Sequence, residues 1–129
     1  MSDHDSDGFA EYCFKSNSYL YLGSPYSHTD PFIREERYLK ASKVLAEFLT
    51  KGIWTYSPIV HCHELAKIGG LPTEALFWKG YNFFMLLHSR GLLVLQLDGW
   101  DASIGLQDEI KEAKRLGLPV QFREESYAS

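Results

Sequence analysis

Leu92-Leu93-Val94-Leu95-Gln96-Leu97 constrains this chain more than any other segment. It is nearly all apolar and lacks polar alternation, with Gly91 before it and Asp98-Gly99 after it. Such a run reads as a strand buried on both faces. Three further β-type runs share its punctuation. Tyr19-Leu20-Tyr21-Leu22 is halted by Gly23-Ser24-Pro25, Ile53 to Ile59 is rich in Ile, Trp, Thr and Tyr and ends in Ser57-Pro58, and Val120-Gln121-Phe122 follows Gly117 and Pro119. Helical patterns fill the gaps. Asp30-Pro31 supplies an N-cap and a first-turn proline, Ile33, Arg37, Tyr38, Ala41, Leu45, Phe48 and Leu49 form a core-facing stripe, and Gly52 closes that helix. Thr73 caps a second helix with Leu76, Phe77, Tyr81, Phe84, Met85 and His88 at helical spacing, and residues 106–116 form a short charged third one. The stretch from His61 to Pro72 reads as a loop with one helical turn at Glu64–Lys67.

The order is therefore β-α-β-α-β-α-β, which implies right-handed crossovers and a parallel sheet with helices on both faces. Ligands of such sheets bind beyond the carboxyl ends of the strands. Three loops meet there: Gly23–Asp30, Ser57–Gly70 and Asp98–Gly105. Residues 1–17 are polar and aperiodic and read as a mobile acidic tail, residues 18–124 as one domain, and residues 125–129 as a C-terminal tail.

Composition narrows the partners. The 129 residues carry a net charge of −4. From Gly8 onward 13 basic residues face 14 acidic ones, so the domain itself is close to neutral. Binding to a nucleic-acid polymer rests on clustered Lys and Arg and is not expected here. No apolar run approaches the ~20 residues of a membrane span. Met1–Asp7 has no apolar core and does not read as a secretory leader. Two cysteines, Cys13 and Cys62, make no disulfide framework, and a reduced cytoplasmic protein is expected.

Gly23-Ser24-Pro25-Tyr26-Ser27 can bring backbone N–H groups to an anion, though neither a dinucleotide fingerprint nor a P-loop is present; the bland reading is an ordinary turn. His61-x-His63 offers a pair of zinc-type ligands without a third at a familiar spacing, so a strand-end pair that hydrogen-bonds locally or orients a ligand is the simpler reading, and no metal is expected. The stretch Asp98 to Ile110 is the most informative. Ser103 and Gly105 stand where a helix begins, and its free N–H groups favour an anion. Glu109 lies about one turn in, where the helix dipole would favour the ionised form that a carboxylate nucleophile needs; the alternative is a solvated acidic first turn. Among the nineteen aromatic rings, Phe48, Phe77, Phe84 and Tyr38 fall on expected core stripes. Tyr21, Tyr26, Trp78, Tyr81 and Trp100 fall on or near the crevice, where they could stack on a flat base.

Tyr-Leu-Gly-Ser-Pro-Tyr after the first strand, Ser-Pro-Ile-x-His-x-His after the second, and Asp-Gly-Trp-x-x-Ser-x-Gly-x-x-x-Glu-Ile-x-x-Ala-x-x-x-Gly-x-Pro-Val toward the C-terminus together resemble the nucleoside 2-deoxyribosyltransferase superfamily, in particular its small bacterial and phage branch. The resemblance covers about Tyr19 to Phe122. It implies a flavodoxin-like parallel sheet of four to five strands with helices on both faces. It also implies cleavage, by hydrolysis or base exchange, of the N-glycosidic bond of a small nucleoside or nucleoside 5′-monophosphate. By motif, Glu109 falls on the nucleophile and Tyr21 on the tyrosine that positions it. Ser103 falls on a serine that binds the 5′-phosphate, which favours a monophosphate substrate. Substrate contacts would come from Gly23, Ser24, Pro25, Tyr26, His61, His63, Trp78, Asn82, Asp98, Trp100, Ser103 and Gly105. No cofactor is implied, and a homo-oligomer is. Asn82 and Gly91 stand where relatives often carry Asp. An amide cannot protonate a leaving base, so the acid must come from elsewhere, from Asp98, Asp101, His61, His63 or a neighbouring subunit. The alternative is a catalytically weakened nucleotide-binding module.

Overall fold

The computed structural model describes residues 18–125. The tail expected at residues 1–17, and all but Glu125 of the one expected at 125–129, lie outside the described residues. Strands β1 (Leu20–Gly23), β2 (Thr55–Tyr56), β3 (Leu92–Gln96) and β4 (Val120–Glu124) form one sheet of order β2-β1-β3-β4. Every pairing is parallel, with Tyr21 beside both Tyr56 and Leu92. Helices α1 (Pro31–Thr50), α2 (Pro58–Gly69), α3 (Ala75–Leu87) and α4 (Ile104–Arg115) surround it, with a short 3-10 turn at Trp100–Ala102. The order is that of a flavodoxin-like α/β fold. The chain runs outward in both directions from β1 and β3, and the switch between them opens a crevice at their carboxyl ends.

The two-residue period of the strands divides the core. Leu20, Leu22, Leu93, Leu95 and Leu97 pack against Val44 and Phe48 of α1. Tyr21, Leu92 and Val94 point the other way, toward Leu86 of α3 and Leu106, Ile110 and Ala113 of α4. Both faces of β1 and β3 are thus covered, as a strand without polar alternation requires. At the C-terminal edge Arg123 is fully buried; its Nη2 lies 3.1 and 3.2 Å from the Glu47 carboxylate oxygens and its guanidinium stacks over Phe48. Glu125, placed in a tail by sequence, pairs with Lys40 of α1.

Three expectations are corrected. The stretch from His61 to Pro72 is largely helix: Ser57 accepts from the Val60 amide, Pro58 occupies the first turn, and Gly70 ends the helix with φ of 65°. The second strand accordingly shrinks to Thr55–Tyr56, and Ile59 belongs to α2. Serine followed by proline is a helix start as readily as a strand stop, and the element order becomes β-α-β-α-α-β-α-β. On α1, Val44 is buried while Leu49 is exposed. The third correction concerns α3, whose N-cap is Glu74 without a side-chain bond, not Thr73. Its aromatic stripe faces outward, with Phe77 at 50% and Phe84 at 61% exposure; Trp78, Asn82 and Leu86 turn inward instead.

Candidate functional site

A crevice of about 500 Å³, its solvent-filled mouth included, opens at the carboxyl ends of β1 and β3. Its walls come from the loop after β1, from α2, from α3 and from the start of α4, and Ser24, Tyr26, Trp78, Asn82, Ser103, Gly105 and Glu109 all line it. Apolar walls with a few convergent polar groups are the make-up of a small-molecule site.

Glu109 is the sixth residue of α4 and only 6% exposed. Tyr21, buried on β1, donates its hydroxyl hydrogen to Glu109 Oε2. Strand parity explains the meeting. Tyr21 points to the α4 face because its neighbours Leu20 and Leu22 point to the α1 face. Gly23 shares the Tyr21 side; a Cβ there would stand 3.0 Å from Leu106 Cδ1 and 3.6 Å from Glu109 Oε1. A larger residue would push against Leu106, which packs in the same turn as Glu109, so the glycine lets α4 lie close over the end of β1.

Burial pushes the Glu109 carboxyl up to about 7, against the Tyr21 hydrogen bond, which lowers it; the Asp108 charge adds a further upward push. The helix-dipole expectation is therefore corrected. The dipole effect fades beyond the first turn, and desolvation decides the balance. The group stands near its midpoint at neutral pH, the range in which carboxyls are useful in acid-base and nucleophilic chemistry. The same burial drives the Tyr21 phenol well above its usual value, so it stays a donor.

Two polar atoms in the walls lack partners. Ser24 Oγ, on a side chain 4% exposed, and Asn82 Oδ1 have no hydrogen-bond partner. Buried polar atoms without partners are uncommon and costly, and both belong to residues lining the crevice. Ser103 caps α4 by accepting from the Leu106 amide at 3.4 Å, and its hydroxyl hydrogen is left for a ligand. Trp78 is fixed by its Nε1, which donates to the Pro72 carbonyl at 2.8 Å.

Other sequence-selected residues lie elsewhere. His61 and His63 ride on helix α2 and not on a strand-end loop, and they part company. His61 stacks on Tyr81, with its Nε2 3.1 Å from the Tyr81 hydroxyl, outside the crevice. His63 is buried, with Nδ1 2.6 Å from Tyr26 Oη and Nε2 2.9 Å from Glu35. The pair does not converge on a metal, and among the described residues no group of three or more His, Cys, Asp or Glu could hold one. Asp98 is exposed, and its carbonyl accepts from Arg37 at 3.0 Å. Trp100 packs on Phe122, and neither it nor Asp98 reaches the crevice. Pro25 is buried and does not line the crevice.

Arg37 was not identified as a site residue by sequence. Its guanidinium donates to the carbonyls of Tyr26, Ser27 and Asp98 at 3.3, 3.1 and 3.0 Å, tying the loops after β1 and β3 together. Its place on a helical stripe made it look like a core position. Glu35 and Cys62 were missed as well; Cys62 lines the crevice and burial pushes its thiol up to about 12.

Fold and site together define a flavodoxin-like α/β protein with an open crevice at its topological switch point and a buried Tyr21–Glu109 pair in its wall. A family model described as a domain of unknown function, DUF1937, matches residues 18–125, and the chain belongs to that family. No curated protein matches it. Among the described residues, no helix is long and apolar enough to cross a membrane.

Proposed function

We propose that the protein cleaves the N-glycosidic bond of a small nucleoside or nucleoside 5′-monophosphate, with Glu109 as nucleophile and Tyr21 as the residue that positions it. The observation that carries this reading is the buried Tyr21–Glu109 hydrogen bond on the wall of a crevice of about 500 Å³. A carboxylate held below an anomeric carbon can trap an oxocarbenium-like centre as a glycosyl ester, which water or a second base then opens. Ser103 and the free N–H groups at the start of α4 suit a 5′-phosphate, and Trp78 offers a ring for the base. The sequence resemblance to the nucleoside 2-deoxyribosyltransferase superfamily points the same way. A cytoplasmic setting and no cofactor accompany this reading.

The test is release of free base from a panel of deoxynucleosides and their 5′-monophosphates. Wild type is expected to release base, with monophosphates preferred, and Glu109→Ala to release none above background. Equal release by both removes Glu109 from the role. The unpartnered Ser24 Oγ and Asn82 Oδ1 favour one second reading, a nucleotide-binding module without turnover. Raised melting temperature with a monophosphate but no base release would establish it instead.

We also propose that the chain forms a homo-oligomer through the outer face of α3. Leu76, Phe77, Phe84 and Leu87 are exposed there side by side, and contiguous exposed apolar side chains are a mark of interaction surfaces. The face also borders a second opening that reaches Asn82 and Glu109. Sedimentation of the wild type is expected to give a dimer or larger, and Phe84→Glu a smaller species; a monomeric wild type refutes the assembly.

A further inference from the structure

We propose that Glu35, His63 and Tyr26 form a proton relay that ends in the crevice, with the Tyr26 hydroxyl as the general acid that protonates the departing base. The inference rests on the reading of Glu109 as nucleophile and supplies what that reading lacks. A base leaves a sugar readily only when its nitrogen gains a proton. The titratable side chains lining the crevice are Tyr26, Cys62 and Glu109. Glu109 is committed to the sugar, and among the described residues the Cys62 thiol has no hydrogen-bond partner to return a proton to it. Asn82 is an amide and has no proton to give.

Tyr26 differs from the others in what stands behind it. Its Oη lies 2.6 Å from His63 Nδ1, and His63 Nε2 lies 2.9 Å from Glu35 Oε1. The imidazole is 4% exposed and stacked on Tyr38 at a centroid distance of 4.2 Å, so its orientation is fixed. Hydrogen bonds from His63 and Lys67 hold the Glu35 carboxyl below its ordinary range and therefore ionised. The hydrogen on Nε2 is thus directed to Glu35, and Nδ1 is the nitrogen that exchanges a proton with Tyr26. When the ring carries both hydrogens, Nδ1–H donates to Tyr26 Oη, and the phenolic hydrogen is free to turn to a ligand. Burial raises the Tyr26 phenol above its usual value, while the nearby charges of Arg34 and Lys67 oppose that rise and would steady a transient phenolate.

In the first half-reaction a Glu109 oxygen bonds to the anomeric carbon. The C–N bond breaks with its electron pair left on the base nitrogen, and the Tyr26 proton goes to the base. The phenolate takes the Nδ1 proton of His63, which remains neutral with Nε2–H on Glu35. In the second half-reaction water attacks the anomeric carbon, the bond to Glu109 breaks, and the surplus proton returns through Tyr26 to Nδ1. The sum is base, free sugar and an unchanged enzyme.

The test compares two substrates in the full chain: a deoxynucleoside 5′-monophosphate, whose base must be protonated, and the same sugar phosphate bearing 4-nitrophenolate, which leaves without a proton. Tyr26→Phe is expected to lose about 10²–10⁴-fold on the nucleotide and only a few-fold on the nitrophenyl substrate. His63→Gln and Glu35→Gln, which act through Tyr26 as positioning residues, are expected to lose less, again on the nucleotide alone. Glu35 lies half exposed, so Glu35→Gln keeps the test decisive even if the variants at the buried positions fold poorly. Equal losses on both substrates by these variants, or no loss on either, overturn the relay. Glu109→Gln is the separate control: losing both substrates supports the nucleophile, and unchanged base release overturns that reading whatever Tyr26→Phe does. A wild type that turns over neither substrate overturns both.

Discussion

Glu109→Gln is expected to reduce base release by at least about 10³-fold, the scale on which removal of a nucleophile acts. Glutamine keeps the volume and can still accept from Tyr21, so the variant isolates the charge and the attacking oxygen from packing. The wild-type rate should depend on pH in a direction set by burial. Only the ionised carboxylate attacks, and its carboxyl is raised to about 7, so kcat/KM on the acid side is expected to climb through about pH 7 and not through the ordinary carboxylate range. Tyr21→Phe removes the hydrogen bond that opposes the burial effect and should move this limb to higher pH. A limb near pH 4.5, or one that does not move in Tyr21→Phe, would place the ionising group elsewhere.

The same carboxyl makes the fold pH-sensitive, and here the glutamine variant should be the more stable protein. The ordinary value of 4.5 applies to the unfolded chain and about 7 to the folded one. Below about 4.5 both states hold the proton and the native state has its full advantage. As pH rises the unfolded chain ionises first, and stability falls until the folded carboxyl also ionises near 7, after which it levels off. The difference of about 2.5 pH units corresponds to roughly 3 kcal/mol. Glu109→Gln has no such loss. Its melting temperature is expected to match the wild type at pH 5 within a few degrees and to exceed it by about 10 °C at pH 8.5. Thermal unfolding of both proteins across that range checks this; a gap that is constant or closes with pH would mean that Glu109 is not desolvated in the native state.

The fold was legible where chemistry is local. The unbroken apolar run at Leu92–Leu97 required a strand covered on both faces, and the turn residues after each strand set the alternation from which the parallel sheet follows. Ser103 and Glu109 could be placed on a helix start because capping and spacing are short-range properties. The α2 helix was not legible, because Ser57-Pro58 ends a strand or opens a helix equally well, and Gly70 decides only once the left-handed turn is seen. The outward stripe of α3 was misread for a related reason: periodicity locates a stripe but not which side meets the sheet, and Trp78, Asn82 and Leu86 form a second, competing one. Arg37 and Glu35 were invisible as site residues because their partners are distant in sequence, Asp98 for one and His63 for the other. Asp98 and Trp100 sit in the right loop, but Asp98 is exposed, Trp100 packs on Phe122, and neither lines the crevice, which depends on tertiary packing.

The claim that Glu109 acts by covalent attack is tested most directly by the mass of the protein during turnover. Rapid quenching of the wild type with a deoxynucleoside 5′-monophosphate is expected to reveal a protein heavier by one deoxyribose phosphate, with the added mass on the peptide that carries Glu109 and absent in Glu109→Gln. An adduct on another residue, or full-rate base release by Glu109→Gln, would contradict the account.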